Sequence, residues 1–184
     1  MMRTLNLDGD RQADLSVHGG PGKAVYVYPA EHYDFWKREL PEMDLPWGMF
    51  GENFTTTGLL ETEINIGDKF RIGTAEVIVT QPRMPCYKLG LKFGRADIIK
   101  RFLQSERTGF YLAVLKEGEV GAGDELEPLA RDANDVRVSD ITRLYTREKH
   151  NERLLRRAIA VEALPEGWRE YFQHQLEKLT SSKH

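Results

Sequence analysis

The sequence predicts a mainly β fold with α additions: a β-barrel over residues 1–136, followed by a small three-helix appendage over residues 137–184. Three observations lead there. Short β-branched and aromatic runs alternate with glycine turn dipeptides through the middle of the chain, a pattern that favours a closed or nearly closed barrel over an open parallel sheet. From residue 139 onward the apolar spacing becomes helical. The length of 184 residues, 40% of them hydrophobic, suits one domain or one domain with an attachment.

Taken in order, Lys23-Ala24-Val25-Tyr26-Val27-Tyr28 reads as the first strand. Pro29 then opens a helix through Leu40, with His32, Phe35, Trp36 and Leu40 on its apolar side and Pro41 as its stop. Ile64 to Ile66, Lys69 to Ile72 and Ala75 to Thr80 are expected strands, separated by Gly67-Asp68 and Gly73-Thr74. A helix is expected over Arg95–Gln104, burying Ile98, Ile99, Phe102 and Leu103. Gly109–Lys116 and Glu119–Leu126 complete the barrel as strands around Glu117-Gly118. In the tail, Ser139 is the expected N-cap of a helix to Thr146, a second helix covers Glu152–Ala163, and a third covers Trp168–Leu179. The third carries an apolar stripe of Trp168, Tyr171, Phe172, Leu176 and Leu179.

Charge narrows the class. The balance of 26 basic and 29 acidic residues gives −3, which offers the whole chain no electrostatic drive toward nucleic acid or an anionic membrane. Arg143, Arg147, Lys149, Arg153, Arg156 and Arg157 concentrate in the tail, but Asp140, Glu148, Glu152 and Glu162 dilute them, so nucleic-acid binding is not expected. No apolar run is long enough to span a bilayer, and no charged-then-apolar leader stands at the start. A single cysteine forms no internal disulfide and suits a reducing compartment, so a cytoplasmic location is expected.

The most informative stretch is Gln81-Pro82-Arg83-Met84-Pro85-Cys86-Tyr87-Lys88. Two prolines restrict the backbone, so Cys86 is expected at the end of a stiff, strand-terminating loop. Arg83 and Lys88 bring positive charge that favours a thiolate, the metal-binding form. The plainer reading is a small buried hydrophobe. Upstream, His18-Gly19-Gly20-Pro21-Gly22-Lys23 follows Arg11-Gln12-Ala13-Asp14; its glycines allow close backbone approach, and an anion-binding nest would gain charge from Arg11 and Lys23. It is not a P-loop, because Ala24 follows the lysine and a strand follows the loop; an ordinary glycine turn is the alternative. The five histidines have no metal-ligand spacing, so zinc is not expected. A third loop, Pro46-Trp47-Gly48-Met49-Phe50-Gly51-Glu52-Asn53-Phe54, could close over a flat ring with Asn53 as a polar contact. Taken alone, it reads better as an apolar loop tucked under the barrel.

His18-Gly19-Gly20, Gly51-Glu52-Asn53-Phe54 and Gln81-Pro82-Arg83-Met84-Pro85-Cys86, in that order, resemble the MOSC family. The segments Asp10-Arg11-Gln12-Ala13-Asp14 and Glu31-His32-Tyr33, with the helical tail, extend the resemblance over nearly the whole chain. Members usually carry further strands ahead of the Asp10 segment, where this sequence has Met1–Asp8, so either those strands are missing here or the barrel closes differently. The resemblance implies binding of the molybdenum cofactor (molybdopterin), with Cys86 as the metal's protein ligand. Arg11, His18, Gly19, Gly20, Lys23, Asn53 and Arg83 would line the pocket. It also implies reduction of small N-hydroxylated compounds, such as the base analogue 6-N-hydroxylaminopurine, with electrons from a separate flavin or iron–sulfur reductase. The chain agrees in having no dinucleotide fingerprint and no cysteine cluster. A non-enzymatic cofactor or sulfur carrier would use the same residues.

Overall fold

Two apolar faces of one curled sheet organise the chain. The computed structural model describes residues 1–7 and 21–181. Strands β1 (Val25–Pro29), β2 (Phe54–Thr56), β3 (Lys69–Ile72), β4 (Ala75–Pro82), β5 (Phe110–Lys116) and β6 (Leu126–Ala130) form a six-stranded sheet in the order β2-β1-β5-β4-β3-β6. The β1–β2 pair is parallel, and the other neighbours are antiparallel. The edge strands β2 and β6 are not paired with each other, so the sheet is a half-barrel with a seam.

Strand alternation separates the faces, because successive side chains point to opposite sides. Val25 and Val27 of β1 join an aliphatic core with Val77, Val79, Phe110 and Leu112. Tyr26 and Tyr28 join an aromatic core with Tyr33, Trp36, Phe50 and Phe102. Helix α1 (Glu31–Glu39) buries His32, Tyr33 and Trp36 on the aromatic side. Helices α2 (Tyr87–Phe93) and α3 (Ile98–Ser105) contribute Leu89, Phe93, Ile98 and Phe102 there.

The tail packs on the other face. Helices α4 (Val138–Thr146), α5 (Glu152–Ala160) and α6 (Glu166–Ser181) place Ile141, Leu144, Leu155, Ala158, Phe172 and Leu176 in the same cluster as the strand valines. Barrel and tail thus share one apolar interior. Arg147 and Arg143 both meet Glu106, Arg156 meets Glu152 at 2.9 Å and Arg157 meets Asp135 at 3.3 Å, so acids stand against much of the tail's positive charge. Among the described residues, no helix is long and apolar enough to cross a membrane.

Several elements depart from their sequence patterns. Ile64–Ile66 contributes only an isolated bridge, Asn65 to Arg137, because the chain turns there around Asp68, whose Oδ2 accepts the Asn65 N–H at 2.8 Å. Residues 119–125 are a loop, and the last strand is displaced to Leu126–Ala130, where Pro128 is tolerated on a sheet edge. The short strand β2 and helix α2 have no distinct apolar period and were not expected. Helix α4 starts two residues earlier than expected: Arg137 is its N-cap, and the Arg137 N–H donates to Asp140 Oδ2 at 3.0 Å, while Ser139 is buried inside the first turn.

Candidate active site at the end of strand β4

Strand β4 runs to Pro82, and the next residues leave the sheet toward α2. The Arg83 N–H still reaches Gly109 O at 3.3 Å, the last link to β5. Cys86 is the N-cap residue of α2, with extended backbone at φ −117° and ψ 175° and no side-chain cap bond. Its carbonyl accepts the Leu89 N–H at 3.0 Å, so the backbone starts the helix while the sulfur is left for other work. The thiol is free and half-buried, and it belongs to neither apolar core. This is not the environment of a packed core cysteine.

Arg83 is held on the aromatic face. Its guanidinium carbon lies 4.7 Å from the Tyr26 ring centroid and 5.9 Å from that of Phe102, and its Nη1 donates to the Phe50 carbonyl. Desolvation alone would lower its pKa; the Tyr26 and Tyr111 oxygens and the Cys86 sulfur outweigh that and hold it above its ordinary value. The cation is therefore permanent, and it sits where its field reaches Cys86. Tyr111 completes the group. Its ring centroid is 5.2 Å from that of Tyr26, its direct β1 partner. Burial raises the Tyr111 phenol, Arg83 partly offsets this, and Cys86 raises it further, so the phenol keeps its proton at neutral pH.

Asn53, the residue just before β2, meets the same hub. Its Oδ1 accepts the Tyr26 N–H, and its own N–H donates to Tyr26 O, both at 2.8 Å. The side-chain oxygen thus braces β1. Asn53 also borders a cavity of about 580 Å³ in the seam, lined by Thr56, Ile72 and Leu126; Cys86 is not among its lining residues. The preceding loop is tucked in only in part: Phe50 is fully buried and stacks on Tyr28 at 4.3 Å, while Trp47 is exposed. Glu52 Oε1 ties that loop by accepting from Tyr33 Oη, Gly48 N and Thr55 Oγ1, while its Oε2 is buried with no hydrogen-bond partner among the described residues.

Lys23 ends a short 3-10 turn, Pro21–Lys23. The Gly22 carbonyl inside that turn accepts Thr80 Oγ1 at 2.6 Å and Gln81 Nε2 at 3.4 Å. Gln81 Oε1 in turn accepts Trp168 Nε1 of α6 at 3.0 Å, so the tail helps hold the end of the glycine loop. Arg11, His18, Gly19 and Gly20 lie outside the described residues. Arg83, Asn53, Cys86 and the Gly22 turn are thus joined through Tyr26, Tyr111 and Gln81. Sequence reasoning missed these three residues. Tyr26 could have been found from strand parity, since it shares a face with Tyr28; Tyr111 and Gln81 depend on pairing across β4 and β5.

Family models match this chain twice, as the MOSC domain over residues 14–127 and as the YiiM-like, 3-alpha helix domain over residues 138–179. The chain belongs to the MOSC family. It is 44% identical to YflK of Bacillus subtilis over 97% of this chain and 80% of that protein, and 37% identical to Protein YiiM of Escherichia coli over 91% and 75%. The crystal structure of YiiM from Escherichia coli superposes with a TM-score of 0.86 at 33% identity, covering 97% of this chain and 85% of that one. YiiM from Geobacillus stearothermophilus gives 0.82 at 36%, covering 85% and 80%. A Gibberella moniliformis protein named Reductase matches at 38% identity over 67% of this chain but only 22% of its own length. MOSC domains are associated with the molybdenum cofactor.

The donor set fits that group. Among the described residues, no three His, Cys, Asp or Glu side chains gather to form a cage, so Cys86 would offer one soft sulfur to a metal that brings its other ligands with it. A molybdenum held by a dithiolene would meet that requirement, and Arg83 would supply positive charge toward a phosphorylated pterin.

Proposed function

We propose that this chain is a molybdenum-cofactor-dependent reductase of small N-hydroxylated compounds, purine analogues among them. The observation that carries the reading is the setting of Cys86: a half-buried thiol with no helix-cap bond, at the end of a Pro-framed segment, within the field of the permanently charged Arg83. Cys86 Sγ would be the protein ligand to the metal, and Arg83, Lys23 and the backbone of the glycine loop would hold the phosphate and pterin oxygens. The bound cofactor supplies the two-electron chemistry that converts R–NHOH, with two electrons and two protons, to R–NH2 and water.

The chain's own residues orient and protonate. Tyr111 would donate to the departing hydroxyl oxygen; burial makes its phenol a weaker acid than an exposed tyrosine, and the neighbouring Arg83 partly offsets this. Asn53 fixes Tyr26, and Tyr26 supports both Arg83 and Tyr111.

The test is protein made in a cofactor-producing host, compared with Cys86→Ala. Metal content should fall to near background, and hydroxylamine reduction with a supplied reductant should vanish. Unchanged metal and unchanged turnover in the variant would end the proposal. Bound metal with no turnover by the natural chain would instead favour a carrier.

A further inference from the structure

Glu61 and His32 have no part in the mechanism above, yet both are deeply buried. Glu61 is 2% exposed and His32 6%, and Glu61 Oε2 stands 2.7 Å from His32 Nε2. Taking a carboxylate out of water is costly unless both oxygens find partners. The second oxygen, Oε1, accepts the Gly109 N–H at 2.6 Å, and the Glu61 carbonyl accepts the Ser139 N–H of α4 at 2.9 Å. One residue thus ties α1, the tail and the approach to β5.

What Glu61 holds is the loop on which the site rests. Three successive carbonyls there accept from the aromatic face: Arg107 O from Tyr28 Oη at 3.2 Å, Thr108 O from Tyr26 Oη at 2.8 Å, and Gly109 O from the Arg83 N–H at 3.3 Å. The chain passes Gly109 at φ +62°, so close to β1 that a Cβ would lie 2.4 Å from Val27 O. Arg83 has its backbone on this loop and its guanidinium over the Tyr26 ring, so its main-chain and aromatic supports both depend on residues 108 and 109.

We propose that Glu61 is a positioning residue: pinned by His32, its carboxylate fixes the 107–109 loop and so holds the Arg83 charge beside Cys86. The inference rests on the part of the reading above that sets Arg83 against the Cys86 sulfur, and not on the reaction assigned to the chain. The two oxygens of one planar group set the distance between α1 and the loop, so reach matters here more than charge.

The experiment alkylates Cys86, the single cysteine, in the full chain purified from a host that makes no molybdopterin. Rates with anionic iodoacetate and neutral iodoacetamide are measured at one pH and low salt. Their ratio reports the electrostatic potential at the sulfur, because the thiolate fraction cancels. The natural chain should favour iodoacetate about fivefold more than a short cysteine peptide does. Glu61→Ala should abolish most of that preference, although deleting a negative charge would by itself strengthen it. Glu61→Gln keeps an acceptor for Gly109 and a donor for His32, and should restore the preference. Arg83→Met should abolish it, and adding Glu61→Ala should change nothing further. Glu61→Asp, a methylene too short to reach Gly109 and His32 together, should lose part of it, and decides the matter if the alanine form does not fold. A natural ratio in Glu61→Ala or, failing that, in Glu61→Asp would overturn the positioning role. So would a glutamine variant that behaves like alanine, a further fall in the double variant, or a natural chain with no preference. Neither reagent involves metal or turnover: if the ratios behave as expected and Cys86→Ala still binds metal and turns over, the reductase reading falls alone.

Discussion

The aliphatic and aromatic faces of the half-barrel are built from alternate residues of the same strands, yet they do different work. Val25, Val27, Val79 and Leu112 meet leucines and Phe172 of the tail, a contact that needs only volume and apolarity. Tyr26, Tyr28 and Tyr111 meet Arg83, Asn53 and the approach to Cys86, where every hydroxyl and charge must find a partner. One face holds the molecule together; the other spends its packing on orienting polar groups.

Breaking the aliphatic face should produce the largest effect. Phe172→Ala removes a fully buried ring and should cost about 3–5 kcal/mol. Because tail and barrel share that core, denaturant unfolding followed by tryptophan fluorescence and by far-ultraviolet dichroism should remain one coincident transition; an early, separate loss of helix would contradict the shared core. Gly109→Ala acts where the faces meet. Gly109 has φ +62°, and a Cβ there would strike the Val27 carbonyl oxygen. Its N–H also donates to Glu61 Oε1 at 2.6 Å, while Glu61 Oε2 meets His32 Nε2 at 2.7 Å, so the substitution also strains a buried pair. The expected loss is about 2–3 kcal/mol, measured as a lowered denaturation midpoint at constant slope.

Alkaline pH should attack the aromatic face selectively. Burial holds the Tyr26 and Tyr28 phenols above the ordinary value of 10.0, whereas the unfolded chain releases these protons near that pH. Their stabilising contribution is therefore complete below pH 10 and is lost as pH rises toward the folded values. Each group should add a slope of about 1.4 kcal/mol per pH unit above pH 10, checked by denaturation midpoints alongside phenolate absorbance. Tyr111→Phe should be the mildest for folding, within about 0.5 kcal/mol, because Tyr111 is only half-buried. It should nonetheless slow hydroxylamine reduction by about tenfold or more, with metal content unchanged; a normal rate would remove Tyr111 as the proton donor.

Much of this was legible in one dimension. The strands expected over Lys23–Tyr28 and Ala75–Thr80 were clear from β-branched runs, although Pro29 ends β1 instead of opening the helix, and the tail was clear from apolar spacing that matches Leu155 and Phe172 in the core. The cysteine segment stood out because two prolines and two cations within eight residues are a local feature. Helix α2 was not legible: it follows Pro85, has Gly90 in its middle and has only Cys86 as its N-cap, so no local signal marks it.

The sequence by itself determined the main strands β1, β3, β4 and β5, the helical tail, the single sulfur and the charge beside it, because those depend on neighbouring residues and their covalent limits. Only the tertiary structure decided that Tyr26 and Tyr111 pair across β1 and β5, that Asn53 braces Tyr26 from the residue before β2, and that Trp168 reaches Gln81, which also meets the Gly22 turn. Those contacts join residues up to 87 positions apart, and sheet register and shared burial, which no local pattern encodes, bring them together.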